Sequence, residues 1–82
     1  MVKMYGTTLC PDVRDAISVF KEKGIDVDFR DFSDSIFNLK EFILMRDRDK
    51  SFDEVKRLSS IGIPCFVFED GRISFDPNDV MK

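Results

Sequence analysis

The stretch YGTTLCPDVRDA, residues 5–16, decides how this chain is read. A short extended start (VKMY, 2–5) runs into Cys10-Pro11, and an amphipathic segment follows at once. Pro11 suits the first helical position, where its missing N–H is not needed and its φ is already helical. From Pro11 to Lys23, Val13, Ala16, Ile17 and Phe20 recur at helical spacing with charges opposite, predicting a helix. Gly24 after KEK is the stop signal, and the two lysines suit the negative end of the helix dipole. Cys10 therefore stands between a strand and a helix, its sulfur near the unpaired N–H groups of the first turn. That position favours thiolate, the reactive form. Asp12 and Asp15 compete for the same positive potential, and Arg14 compensates if its side chain folds back. The competing reading is a cysteine that only caps the helix or fills a gap.

Further along, IDVDFRD (25–31) sets Ile25, Val27 and Phe29 against Asp26, Asp28 and Arg30. Such alternation predicts a half-covered strand at a sheet edge, where charges discourage mispairing. SDS at 33–35 caps a second helix over about 36–46, with Ile36, Leu39, Phe42 and Ile43 inward. The run RDRDK (46–50) alternates in sign and reads as a solvated face. Ser51 and Glu54 have capping-box spacing, which predicts a short helix over 52–58 burying Phe52 and Val55. IPCFVF (63–68) is a nearly continuous apolar run, the mark of a central strand covered on both faces. EDGR (69–72) makes a hairpin turn, ISF (73–75) a last strand, and PNDVMK a short terminal turn of helix. The order β-α-β-α-(α)-β-β predicts an α/β fold with a mixed four-stranded sheet and helices packed on it.

At 82 residues the chain suits one domain, residues 1–82. Nine Phe fit the need of so short a chain for a compact, aromatic core. A net charge of −3 argues against nucleic acid, whose phosphates need a concentrated cationic face. No apolar run approaches the ~20 residues of a membrane helix. The start MVKMYG has no secretory h-region, so a cytoplasmic location, with no membrane partner, is expected. Two cysteines make no disulfide framework, and without His or Cys-x-x-Cys no metal site is expected. What remains is individual thiol chemistry, or none.

A second clue lies in SIGIPCFVF (60–68). A proline starting a central strand cannot donate to the ladder, and a cis Ile63–Pro64 bond is one reason to find it there. Together, MYGTTLCP, the β-α-β pattern and GIPCFVFEDGRI resemble the glutaredoxins of the thioredoxin-fold superfamily, over nearly the whole chain. The resemblance implies a thioredoxin/glutaredoxin fold with a long or broken second helical region and a reduced C-terminal helix. It implies Cys10 as the nucleophile and Pro64 as the cis-proline beside it. It further implies Thr8, Ile63, Pro64 and Asp76 as the surface for glutathione or another cysteinyl segment, with Asp76 toward the glutathione amine. Glutathione would enter as co-substrate, and the protein would work as a monomer on glutathione or protein thiols and disulfides.

The departures from that pattern are specific. Val13 stands where the resolving cysteine would be, so the chain is monothiol. Thr7 takes the place of a supporting lysine, Asp12 that of an aromatic, and ISFDPND lacks the usual glycine pair. LCPDV does not match the Cys-Gly-Phe-Ser motif of iron–sulfur-carrying monothiol glutaredoxins. Cys65 reads either as a buried inert thiol or as a substitute resolving one. The function expected is thiol–disulfide oxidoreduction on glutathione mixed disulfides. The alternatives are a thioredoxin-fold module that only binds a partner and, less well matched, an arsenate-reductase-like protein.

Overall fold

In the computed structural model, which describes residues 1–82, the extended start becomes β1 (Lys3–Gly6). It is flanked by β2 (Asp28–Asp31) and β3 (Cys65–Val67), and β4 (Ile73–Ser74) completes a sheet ordered β2-β1-β3-β4. β1 runs parallel to β2, pairing Lys3 with Asp28 through Gly6 with Asp31. It runs antiparallel to β3, with Met4 opposite Phe66 and Tyr5 opposite Cys65. The hairpin at 69–72 returns the chain antiparallel, setting Val67 opposite Ile73. The fold is thus α/β with a mixed four-stranded sheet, as the element order predicts.

Period-two alternation sends neighbouring strand residues to opposite faces, and each face has its own core. Met4 and Phe66 point to one face and pack with Val13, Ala16 and Phe20 of α1 (Pro11–Lys23). Val80 and Met81 of α4 (Pro77–Met81) join them there. Tyr5 and Cys65 point to the other face, against Phe42 of α2 (Ile36–Arg48) and Phe52. Phe52 ends a 3₁₀ turn (Lys50–Phe52) that leads into α3 (Asp53–Arg57). Helices therefore cover both faces of one sheet. Phe42 is wedged among Phe32 at 5.2 Å, Phe52 at 5.7 Å and Tyr5 at 6.2 Å between ring centroids.

The local signals hold in part. α1 begins at Pro11 and ends at Gly24, whose φ of 68° is left-handed and favours glycine. Ser35 caps α2 by accepting from the Phe37 N–H at 3.2 Å. Three details differ. Only Asp28–Asp31 of the 25–31 segment is strand, because β1 offers pairing partners no further. The turn after α2 is capped by Asp49, whose carboxylate accepts the Ser51 N–H at 2.9 Å, rather than by Ser51 with Glu54. Glu54 pairs instead with Arg57. On α2, Ile36 and Ile43 face outward and Phe42 inward, flanked by the half-buried Asn38, Leu39, Met45 and Arg46. No helix is long and apolar enough to cross a membrane.

Candidate thiol site

The site grows from the end of β1. Gly6 is buried where α1 crosses over it, and a Cβ there would meet Val13 Cγ2 at 2.8 Å. Glycine is required by this close approach, which brings the start of α1 down onto the sheet. Val13, three residues after Cys10, is fully buried in the contact. A side chain at this position belongs to the core.

Cys10 is the N-cap residue of α1, with extended backbone (φ −88°, ψ 125°). Its N–H donates to the Thr7 carbonyl at 3.1 Å, and its own carbonyl accepts the first helical N–H, from Arg14, at 3.1 Å. The thiol makes no capping hydrogen bond and is half-buried against the α1 core, so capping does not account for it. Arg14 does fold back: its Nη1 donates to the Thr8 carbonyl at 2.8 Å, clamping the loop that presents Cys10. Thr7 braces the same loop, its hydroxyl accepting the Leu9 N–H at 3.3 Å. Thr8 itself is exposed, as is Leu9.

Ile63 and Pro64 lie at the same end of the sheet. Tyr5 pairs with Cys65 in antiparallel register, so the residues before Cys65 run alongside those after Tyr5, toward the Cys10 loop. The Ile63–Pro64 bond is cis and Pro64 is buried. Neither the amide nor the carbonyl of Ile63 takes part in any loop or turn backbone hydrogen bond. A groove of about 520 Å³ opens between these residues and α1. Its floor is Ala16, Val19, Ile63, Pro64, Phe75 and Met81, and Asp12 and Asp15 stand on its rim. Neither carboxylate has an ion-pair or hydrogen-bond partner in the chain. A second hollow, about 610 Å³ over Tyr5, Glu41 and Met45, lies on the opposite sheet face from Cys10.

Asp76 is turned to another task. One of its carboxylate oxygens accepts the Asn78 N–H at 2.9 Å, making it the N-cap of α4 beside the groove. Of the two readings of Cys65, the buried thiol is the one that its position matches. Both thiols are free, and Cys65 is fully buried in the Tyr5–Phe42–Phe52 core, across the sheet from the core that Cys10 touches. Burial pushes its thiol up to about 12, with the Asp49 carboxylate adding to the effect. A resolving thiol acts as thiolate, a form that burial disfavours at Cys65.

One positioning residue escaped the sequence reading. Arg46, taken as part of a solvated charge run, donates Nε to the Ile61 carbonyl at 2.9 Å and Nη2 to the Ser60 carbonyl at 2.8 Å. It fastens the loop leading to Ile63-Pro64, and only the fold could show this. No group of three or more His, Cys, Asp or Glu side chains is placed to hold a metal ion.

Comparison with known proteins finds similarity to an uncharacterized protein of Haemophilus influenzae. It is 33% identical over 67 residues, which are 82% of this chain and 78% of that protein. No family model matches the chain, and no solved structure matches it.

Proposed function

The chain belongs to the same family as that Haemophilus influenzae protein, and we propose that it is a monothiol thiol–disulfide oxidoreductase of the glutaredoxin type, built on the thioredoxin fold. The observation that carries this reading is Cys10. It is half-exposed at the start of α1, free of any capping bond, on a loop clamped by Arg14. At the same end of the sheet, the uncommitted backbone of Ile63 offers a cysteinyl substrate an extended partner.

The chemistry needs one cysteine. Cys10 Sγ, as thiolate, attacks the glutathionyl sulfur of a mixed disulfide. The substrate S–S bond breaks, the protein thiolate leaves and takes a proton from water, and Cys10 carries the glutathionyl group. A second glutathione, as thiolate, attacks that group's sulfur. The Cys10 thiolate is released along with oxidised glutathione, so one disulfide is exchanged for another and the incoming glutathione thiol is the reductant consumed.

Asp12 and Asp15 favour a second reading, that of a module binding a partner peptide without turnover. Their unpaired carboxylates rim the groove and oppose glutathione, itself an anion. Mass spectrometry separates the two. After mixing with a glutathionylated peptide, the oxidoreductase reading expects the protein to gain one glutathionyl group, mapped to Cys10. An unmodified Cys10 that still retains the peptide would replace catalysis by binding.

A further inference from the structure

The groove of about 520 Å³ between α1 and Ile63-Pro64 carries charge of one sign over an apolar floor. The floor runs from Ala16 and Val19 of α1 to Pro64 and Phe75 across it. Asp12 and Asp15 are the only ionisable side chains that line it, and both are exposed. Nothing in the chain neutralises them. Arg14, between them in sequence, gives its guanidinium to the Thr8 carbonyl, and Lys82, beyond the Met81 end, pairs with Asp79. The amide and carbonyl of Ile63 enter no loop or turn backbone hydrogen bond, which leaves both to pair with an extended segment.

We propose that this groove selects substrates by charge, and that it receives an extended cationic segment of a protein, with Lys or Arg at alternate positions. The inference rests on Cys10 attacking a mixed disulfide, and it names the protein side of that disulfide as what the groove holds. Spacing supports it. Residues 12 and 15 are neighbours on one helix face, about 5–6 Å apart at Cβ. In an extended segment, side chains on one face recur every ~6.6 Å, so two alternate cations meet the two carboxylates. Their alkyl stems lie along apolar surface while the charged heads stay in water at the rim. A lysine or arginine therefore satisfies floor and rim together. An acidic segment faces two carboxylates at the rim, and a purely apolar one gains nothing from them. Glutathione, an anion, is repelled at the same rim. The groove thus takes the protein half of a mixed disulfide rather than the glutathionyl half.

Three glutathionylated peptides test this, alike except that the residues two and four positions to either side of the cysteine are all Lys, all Gln or all Glu. Each rate of glutathionyl transfer to Cys10 is divided by that peptide's rate with a small neutral thiol, which removes its intrinsic reactivity. At low salt the lysine peptide is expected to react about tenfold faster than the glutamate peptide on this scale, the ratio shrinking as salt screens it. Asp12→Asn with Asp15→Asn is expected to bring the ratio below about threefold, slowing the lysine peptide and speeding the glutamate one. Asp34→Asn with Asp47→Asn removes the same charge from exposed positions beside and on α2, which packs on the other sheet face, and is expected to leave the preference intact. Circular dichroism confirms that each variant keeps its helices. Transfer to Cys10 at one rate from all three peptides would overturn the inference and leave the oxidoreductase reading standing. A preference that survives in the Asp12, Asp15 double variant would overturn it too. If Cys10 accepts a glutathionyl group from none of them, the oxidoreductase reading fails. Fluorescence anisotropy of labelled peptides with Ser in place of Cys then decides the inference alone. Tighter binding of the lysine peptide, lost in the double variant, upholds it, and equal binding overturns it.

Discussion

Asp12 and Asp15 set the strongest constraint on what the groove between α1 and Ile63-Pro64 accepts. Two unpaired carboxylates on its rim lower the local concentration of any anion, glutathione included. Replacing both with Asn is expected to speed reaction of Cys10 with a glutathione mixed disulfide by about two- to fivefold at low salt, the gain shrinking as salt screens it. Stopped-flow rates at two ionic strengths check this, and a slower variant would remove the carboxylates from the argument. The positions of Cys10, Pro11 and Arg14 were legible in the sequence because they are set locally: the residue before the helix, its first turn, and a side chain reaching back to the loop before it. Cys65 was not. Its face depends on strand register, and one residue of slip sends a side chain to the opposite core. Only the Tyr5–Cys65 pairing fixes it.

At the scale of elements, Phe52 and the half-buried Val55 hold the 3₁₀ turn and α3 to the core. Phe52 is fully buried and meets Phe42 and Phe75 edge-on, at 5.7 and 5.1 Å. Phe52→Ala is expected to cost about 3–5 kcal/mol, seen as a lower urea midpoint. A change below about 1 kcal/mol would mean that the aromatic cluster is not the anchor. α1 was readable because its apolar residues fall on one stripe. α2 carries Ile36, Phe37, Leu39, Phe42, Ile43, Leu44 and Met45 around much of its circumference, so periodicity alone does not choose its inner face. The choice is made by Phe42, which fits among Tyr5, Phe32 and Phe52, and this turns Ile36 and Ile43 outward. Arg46 follows from the same rotation, since the inward phase brings its guanidinium to the Ser60 and Ile61 carbonyls.

For the whole molecule, two buried acids set the alkaline limit. Burial raises the Cys65 thiol from 9.0 to about 12. Burial, helped by the hydrogen bond to Glu41, raises the Tyr5 hydroxyl from 10.0 to about 12. Both folded values lie above the unfolded ones, so above pH 9 the unfolded chain releases protons that the folded chain keeps. Their contribution is complete below pH 9 and is lost as the pH rises toward 12. Urea midpoints are expected to be level from pH 7 to 8.5 and to fall at pH 10 and above, less steeply in Cys65→Ala. An unchanged slope in that variant would locate the alkaline loss elsewhere. The α/β order and mixed sheet were visible in the sequence because the signals are local: the stripe of α1, the alternation of 25–31, the apolar run of 63–68 and the turn at 69–72. The two-core arrangement was not, since it arises only when β1 and β3 pair and sort Met4 from Tyr5 and Phe66 from Cys65. On this frame the proposed chemistry rests on one sulfur. The most direct measurement is turnover of a glutathionylated peptide with glutathione in excess, comparing wild type, Cys10→Ser and Cys65→Ser. The expected result is turnover retained in Cys65→Ser and abolished in Cys10→Ser; equal rates in wild type and Cys10→Ser would contradict it.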